Sequence, residues 1–144
     1  MMESFFSYIH VEAILQILLA AFLGAAIGLE REHWKKDAGL RTYMLICIGS
    51  ALFSMICVYG VVAYPNMSFQ PINAIAIGIG FLGSGLIMTK QGHKEGLTTA
   101  VSAWTASAIG VAVGFKLYFI AFFATVICFI VLRALRHVEA KYLD

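Results

Sequence analysis

Charge is what this chain has least of. Asp, Glu, Lys and Arg supply only 12% of its 144 residues, while 61% are apolar; a soluble domain carries about 25% charge. That leaves too little polar surface to cover a water-facing globule, so a soluble fold is excluded and lipid is the solvent that fits. Cysteine is scarce as well. Cys47, Cys57 and Cys128 stand inside apolar runs without CxxC spacing, and they read as small buried hydrophobes, not as a disulfide framework or a zinc site. His10, His33, His93 and His137 are scattered at the edges of the apolar runs, which excludes the regular spacing of a metal motif. Prolines are confined to Pro65 and Pro71, at the two ends of one uncharged loop. Residues 1–10 hold no Lys or Arg, so the first apolar run lacks the positive start of a secretory signal and is expected to be retained. The net charge is only +2 and the basic residues lie beside the apolar runs, so no nucleic-acid surface is expected.

What is present is a series of long apolar runs. They predict an all-α membrane protein, a compact bundle of five transmembrane helices in one domain, at about 11–29, 42–63, 72–88, 97–114 and 117–132. The third is short but long enough for a thin or compressed bilayer. The last two require a break at Gly114-Phe115-Lys116, because one helix over 97–132 would be about 54 Å long against a core of about 30 Å. Charge placement agrees. With five helices, Arg31, Lys35, Lys36, Arg41, Lys90, Lys94, Arg133, Arg136 and Lys141 share one side, and Lys116 alone lies on the other. The positive-inside rule then puts the N-terminus outside and the C-terminus in the cytoplasm.

Two patterns run through these helices. Gly28-Leu29, Gly39-Leu40 and Thr42 recur 57 residues on as Gly85-Leu86, Gly96-Leu97 and Thr99, which suggests a duplicated helical hairpin followed by a fifth helix. Small residues also recur at i, i+4, i+8: Ala20, Gly24 and Gly28; Ala76, Gly80 and Ser84; Ala106, Gly110 and Gly114. This spacing lets membrane helices approach closely. Gly78, Gly80 and Gly83 match GxGxxG, but without a strand before them the dinucleotide reading fails. Together with Gly85 they are candidates for helix packing, or else for an unwound segment whose carbonyls face an ion.

The polar residues leave alternatives open. Glu30-Arg31-Glu32 ends the first run, either as a collar reaching the headgroups or with Glu30 paired to Arg41 across the first cytoplasmic loop. That pairing would relieve a carboxylate at a helix C-terminus and a guanidinium at a helix N-terminus. Glu32 and Lys36 are spaced for an i,i+4 pair if the helix continues. Thr98, Thr99, Ser102, Thr105 and Ser107, with Trp104, make the fourth run the most polar. Their hydroxyls either bond their own helix or line a polar path and bridge helices. Glu12 is expected at the outer interface. Nothing pairs a nucleophile with a base, so no enzyme is expected.

Four segments resemble one family. Gly24-Ala25-Ala26-Ile27-Gly28-Leu29-Glu30-Arg31-Glu32 and Ala38-Gly39-Leu40-Arg41-Thr42 resemble the opening signature of the MgtC/SapB family. Gly78-Ile79-Gly80-Phe81-Leu82-Gly83-Ser84-Gly85 is similar to its third-helix motif, and Gly96-Leu97-Thr98-Thr99-Ala100 with Trp104 and Ala108-Ile109-Gly110 to its fourth. The resemblance covers roughly residues 14–132. It implies a bacterial inner-membrane protein of magnesium homeostasis, with Mg2+ as ligand or substrate and no other cofactor. It also implies a functional role for Glu30, Arg31, Arg41, Thr98, Thr99 and Trp104. Many such proteins carry a soluble C-terminal domain, whereas this chain stops at Asp144, and Glu95 stands where relatives often have Arg. Two functions fit: an ion transporter, which at this size needs to oligomerise around a pore, and a non-transporting regulator that binds another membrane protein.

Overall fold

The computed structural model describes the chain path over residues 2–63, 71–90 and 93–135, and side chains within 10–62, 72–87 and 95–134. Among the described residues five helices follow in order: α1 (Met2–His33), α2 (Leu40–Ala63), α3 (Pro71–Leu86), α4 (Leu97–Gly114) and α5 (Tyr118–Ile130), the last running on into a π turn over Val131–Leu135. His10–His33, Leu40–Val62 and Leu97–Gly114 are long and apolar enough to cross a membrane, and Ile72–Leu86 and Tyr118–Ala134 are shorter apolar helices. The protein is thus an all-helical membrane protein. Pro65 and the tail from residue 136 lie outside the described residues.

At three places the helix ends bear on the sequence expectation: two depart from it and one agrees. First, α1 runs through Glu30-Arg31-Glu32 to His33 instead of stopping at Leu29. It closes with Lys35 N–H bonded to Glu32 O and Lys36 N–H to Arg31 O, with Lys35 at φ 50°. This is the Schellman arrangement, with lysine where glycine is usual. Second, α4 closes the same way: Lys116 N–H bonds Val113 O, Leu117 N–H bonds Ala112 O, and Lys116 sits at φ 62°. The break between α4 and α5 is therefore where the length argument required it, within Gly114-Phe115-Lys116, and the left-handed Lys116 makes it. Third, the loop expected over 89–96 contains a short antiparallel ribbon, β1 (Met88–Lys90) with β2 (His93–Glu95), in register Met88↔Glu95. Gly96 follows at φ 83°, and an added Cβ would lie 1.8 Å from Leu86 O, so only glycine fits that entry into α4.

The duplicated pattern occupies equivalent places. Gly39 and Gly96 each stand directly before the second helix of a hairpin, and Tyr43 N–H bonds Gly39 O as Ala100 N–H bonds Gly96 O. The two hairpins nonetheless pack differently. An added Cβ at Gly28 would come within 2.7 Å of Leu40 Cα, and one at Gly24 within 2.6 Å of Tyr43 O, so α1 and α2 meet backbone to backbone. In the second hairpin Gly83 touches Ala100 at an ordinary 3.6 Å, and Gly85 meets nothing within 4 Å.

Helix α4 is the centre. Of its span, 61% is buried, against 33% for α1 and 28% for α2. Gly110 and Gly114 press it against α2, where an added Cβ would approach Cys47 O to 2.3 Å and Ala51 O to 2.6 Å. The core is built from small residues, among them Ala20, Ala51, Ala103, Ala106 and Ala121, while Phe22, Val62, Ile77, Phe81 and Phe119 point outward. Lipid is as apolar as a leucine side chain. Burying large groups therefore gains little, and close backbone contact supplies the packing energy.

Candidate functional site

The buried polar residues gather along the α4 face that meets α1 and α2. Because α1 continues past Leu29, Glu30 and Arg31 are carried on its last turns and enclosed at 4% and 3% exposure. Arg31 Nη2 donates to Thr99 Oγ1 at 3.0 Å, joining the C-terminal end of α1 to the first turn of α4. Arg31 Nη1 lies 3.8 Å from Glu30 Oε2, a charge pair too long for a hydrogen bond. Among the described residues neither Glu30 oxygen nor Arg31 Nε has a hydrogen-bond partner. The attraction between the two charges thus has to offset most of their desolvation.

From Thr99 the polar seam continues between α2 and α4. Tyr43 O–H shares a 2.5 Å hydrogen bond with Ser102 Oγ and lies 3.2 Å from Thr99 O. Ser102 also donates to Thr99 O. Further along, Cys47 Sγ donates to Ala106 O and Ser50 pairs with Ser107 at 2.8 Å. At the opposite end, Gln16 Nε2 donates to Val113 O at 2.9 Å, and Lys116 holds both oxygens of Glu12, at 2.8 and 2.9 Å. That hydrogen bond holds the Lys116 amine above its ordinary range. The Glu12–Lys116 pair places the start of the α1 span and the α4–α5 turn at one end of the bundle, away from Arg31 and Arg41.

The structure brings together Glu30, Arg31 and Thr99 of the expected site residues, and separates the others. Arg41 is exposed and Glu30 takes Arg31 as its charge partner, so the Glu30–Arg41 pair does not form: continuing α1 turns Glu30 toward the interior. The Glu32–Lys36 pair does not form either. Lys36 falls beyond the helix end, and Glu32 instead accepts the Leu40 N–H at 2.7 Å, which caps the start of α2. Thr98 and Trp104 are exposed on α4. Gly24, Gly28 and Gly110 are close-packing positions as expected. Gly78, Gly80 and Gly85 are not, since nothing lies within 4 Å of an added Cβ there. An unwound α3 is likewise overturned, because the helix is unbroken from Pro71 to Leu86. Thr105 bonds its own helix at Val101 O.

Sequence reasoning missed Tyr43, Cys47, Ser50 and Ser54. The signal was present: they fall at i, i+4, i+7, i+11 and so on one face of α2, hidden because Tyr and Cys count as apolar in a hydropathy profile. Among the described residues, no group of three or more His, Cys, Asp or Glu gathers as a metal site.

Comparison with known proteins places this arrangement. The profile of the MgtC family matches residues 17–141. YhiD of Escherichia coli strain K12, named provisionally as a magnesium transporter, is 34% identical over 92% of this chain and 65% of its own length. Protein SrpB of Synechococcus elongatus is 35% identical over 86% of this chain and 75% of its own. Protein MgtC of Salmonella typhimurium is 39% identical over 79% of this chain and 48% of its own. This chain thus spans just under two thirds of YhiD and about half of MgtC. No solved structure matches it significantly.

Proposed function

This chain belongs to the MgtC family, and from that premise we propose that it serves magnesium homeostasis in a bacterial inner membrane as a regulator that binds another membrane protein. In this reading it is neither an enzyme nor a conductor of Mg2+. The N-terminus is outside and the C-terminus cytoplasmic, following the charge asymmetry of the loops. The observation that carries the reading is the partner of Glu30. It is the one fully buried carboxylate among the described residues, and a guanidinium stands 3.8 Å from it. Mg2+ takes hard oxygen ligands and sheds its waters reluctantly; a carboxylate already neutralised by Arg31 offers it little. The close α1–α2 and α2–α4 contacts at Gly24, Gly28, Gly110 and Gly114 also leave no room for a hydrated ion between those helices.

The transport reading draws on the name given to YhiD and requires copies of the chain to enclose a path between them. One experiment separates the two. The purified chain in liposomes with an internal Mg2+ indicator is expected to show no flux above protein-free vesicles, while its gene still supports growth in low Mg2+. Saturable Mg2+ flux would overturn the regulator and establish the transporter.

A further inference from the structure

Helix α3 rests on α4 at Gly83 and Ala100 and leaves an open groove against α2, with a cavity volume of about 920 Å3. That is near the upper end of small-molecule sites, which run roughly 300–1,000 Å3. Its walls are apolar: Leu45, Ile46 and Phe53 from α2 face Ile75, Ile79 and Leu82 from α3. Gly49 and Gly78 line it as well, and an added Cβ at either meets nothing within 4 Å, so the groove is kept wide by missing side chains on both sides. One charge borders it. Arg41, exposed and in no ion pair with any described residue, stands at the end where α2 begins, next to Thr42. The groove runs from Arg41 at the cytoplasmic end of α2 down to Cys57, sixteen residues and about 24 Å of helix.

An apolar slot that lies along the membrane and opens at a single interfacial cation complements a molecule with an apolar tail and an anionic head. We propose that this groove binds one anionic phospholipid of the cytoplasmic leaflet, with an acyl chain between α2 and α3 and its phosphate on Arg41. The assignment gives Arg41 the anion that Glu30 does not supply. It also gives a use to Gly78, which helix packing within the chain does not explain. A second protein helix in the groove would not call for the guanidinium at its mouth, whereas a phosphate does.

The test is native mass spectrometry of the purified full chain, equilibrated in detergent with equal amounts of phosphatidylglycerol and phosphatidylcholine of identical chains. The wild type is expected to retain one lipid and to prefer phosphatidylglycerol about fivefold, the factor one interfacial Arg typically contributes. Arg41→Gln is expected to bring the preference close to parity while lipid is still retained. Gly49→Leu and Gly78→Leu are expected to lose lipid of both kinds by filling the slot. Gly80→Leu, on α3 but outside the groove, is the control: it should bind as the wild type does, and circular dichroism of every variant checks that the helices remain. Equal retention of the two lipids by the wild type would overturn the proposal. So would a preference unchanged in Arg41→Gln, displacement of lipid by glycerol phosphate alone, or a folded Gly78→Leu that keeps its lipid. A dimer that replaces the lipid-bound monomer would assign the groove to a second copy.

Discussion

Replacing Arg31 with methionine isolates the most costly interaction in this bundle. Arg31 is 3% exposed, donates to Thr99 at 3.0 Å, and stands 3.8 Å from a carboxylate that no other described residue bonds. At that separation and an effective dielectric of about 20, the charge pair is worth about 4 kcal/mol before desolvation. Methionine keeps the apolar stem but strands Glu30, and an unpaired buried charge costs about 3–5 kcal/mol. Unfolded helices in a bilayer also find polar partners, so the lower figure, about 3 kcal/mol, is the expected loss. It corresponds to roughly a hundredfold in the folding equilibrium. Unfolding of the full chain in mixed micelles with increasing denaturing detergent measures it. The double variant Glu30→Gln with Arg31→Met removes both charges, and it is expected to be more stable than Arg31→Met alone. Thr99→Val should cost about 1 kcal/mol through the lost acceptor. Equal and additive losses around the Glu30–Arg31 cycle would refute the reasoning, returning both residues to a solvated collar at the headgroups.

Gly110→Ala is expected to cost about 1–3 kcal/mol by overpacking, since its Cβ would approach Cys47 O to 2.3 Å; Gly80→Ala, with open space around it, is expected to gain a few tenths from helix propensity. Thermal unfolding in detergent ranks the two, and equal effects would mean the α2–α4 contact is not tight. Glu12→Gln is expected to cost about 0–1 kcal/mol, because the bridge to Lys116 is partly exposed. The Lys116 amine is raised above its ordinary 10.5 by its hydrogen bond to Glu12, so the folded state holds that proton more tightly. The bridge's contribution is therefore full below 10.5 and fades as pH climbs through the raised value; a wild-type advantage that instead fades toward neutral pH would contradict the assignment. A reporter fused at the C-terminus is expected to signal from the cytoplasm, and a signal from the outer face would overturn five spans in this orientation.

The amino-acid sequence alone determined the solvent, the number of helices and the family. Each rests on a property that adds up along the chain: apolar runs long enough for a bilayer, one forced break within 97–132, and four motifs in fixed order. It also marked Gly24, Gly28 and Gly110 as candidate contact positions, because their helices carry small residues on one face. What it left open depended on direction in space. Glu30 lies one residue from Arg31 and eleven from Arg41, and spacing favoured the distant partner only if α1 stopped at Leu29. About one further turn of helix, closed by a left-handed Lys35, directed the carboxylate inward and left Arg41 at the mouth of a groove. The small-residue pattern of α3 is much like that of α1, yet its glycines at 78, 80 and 85 touch nothing. Whether a small face is buried depends on which neighbour reaches it, and α3 leans on α4 through Gly83 alone of its four glycines. That choice is made by the packing of five helices together, a quantity no single helix encodes.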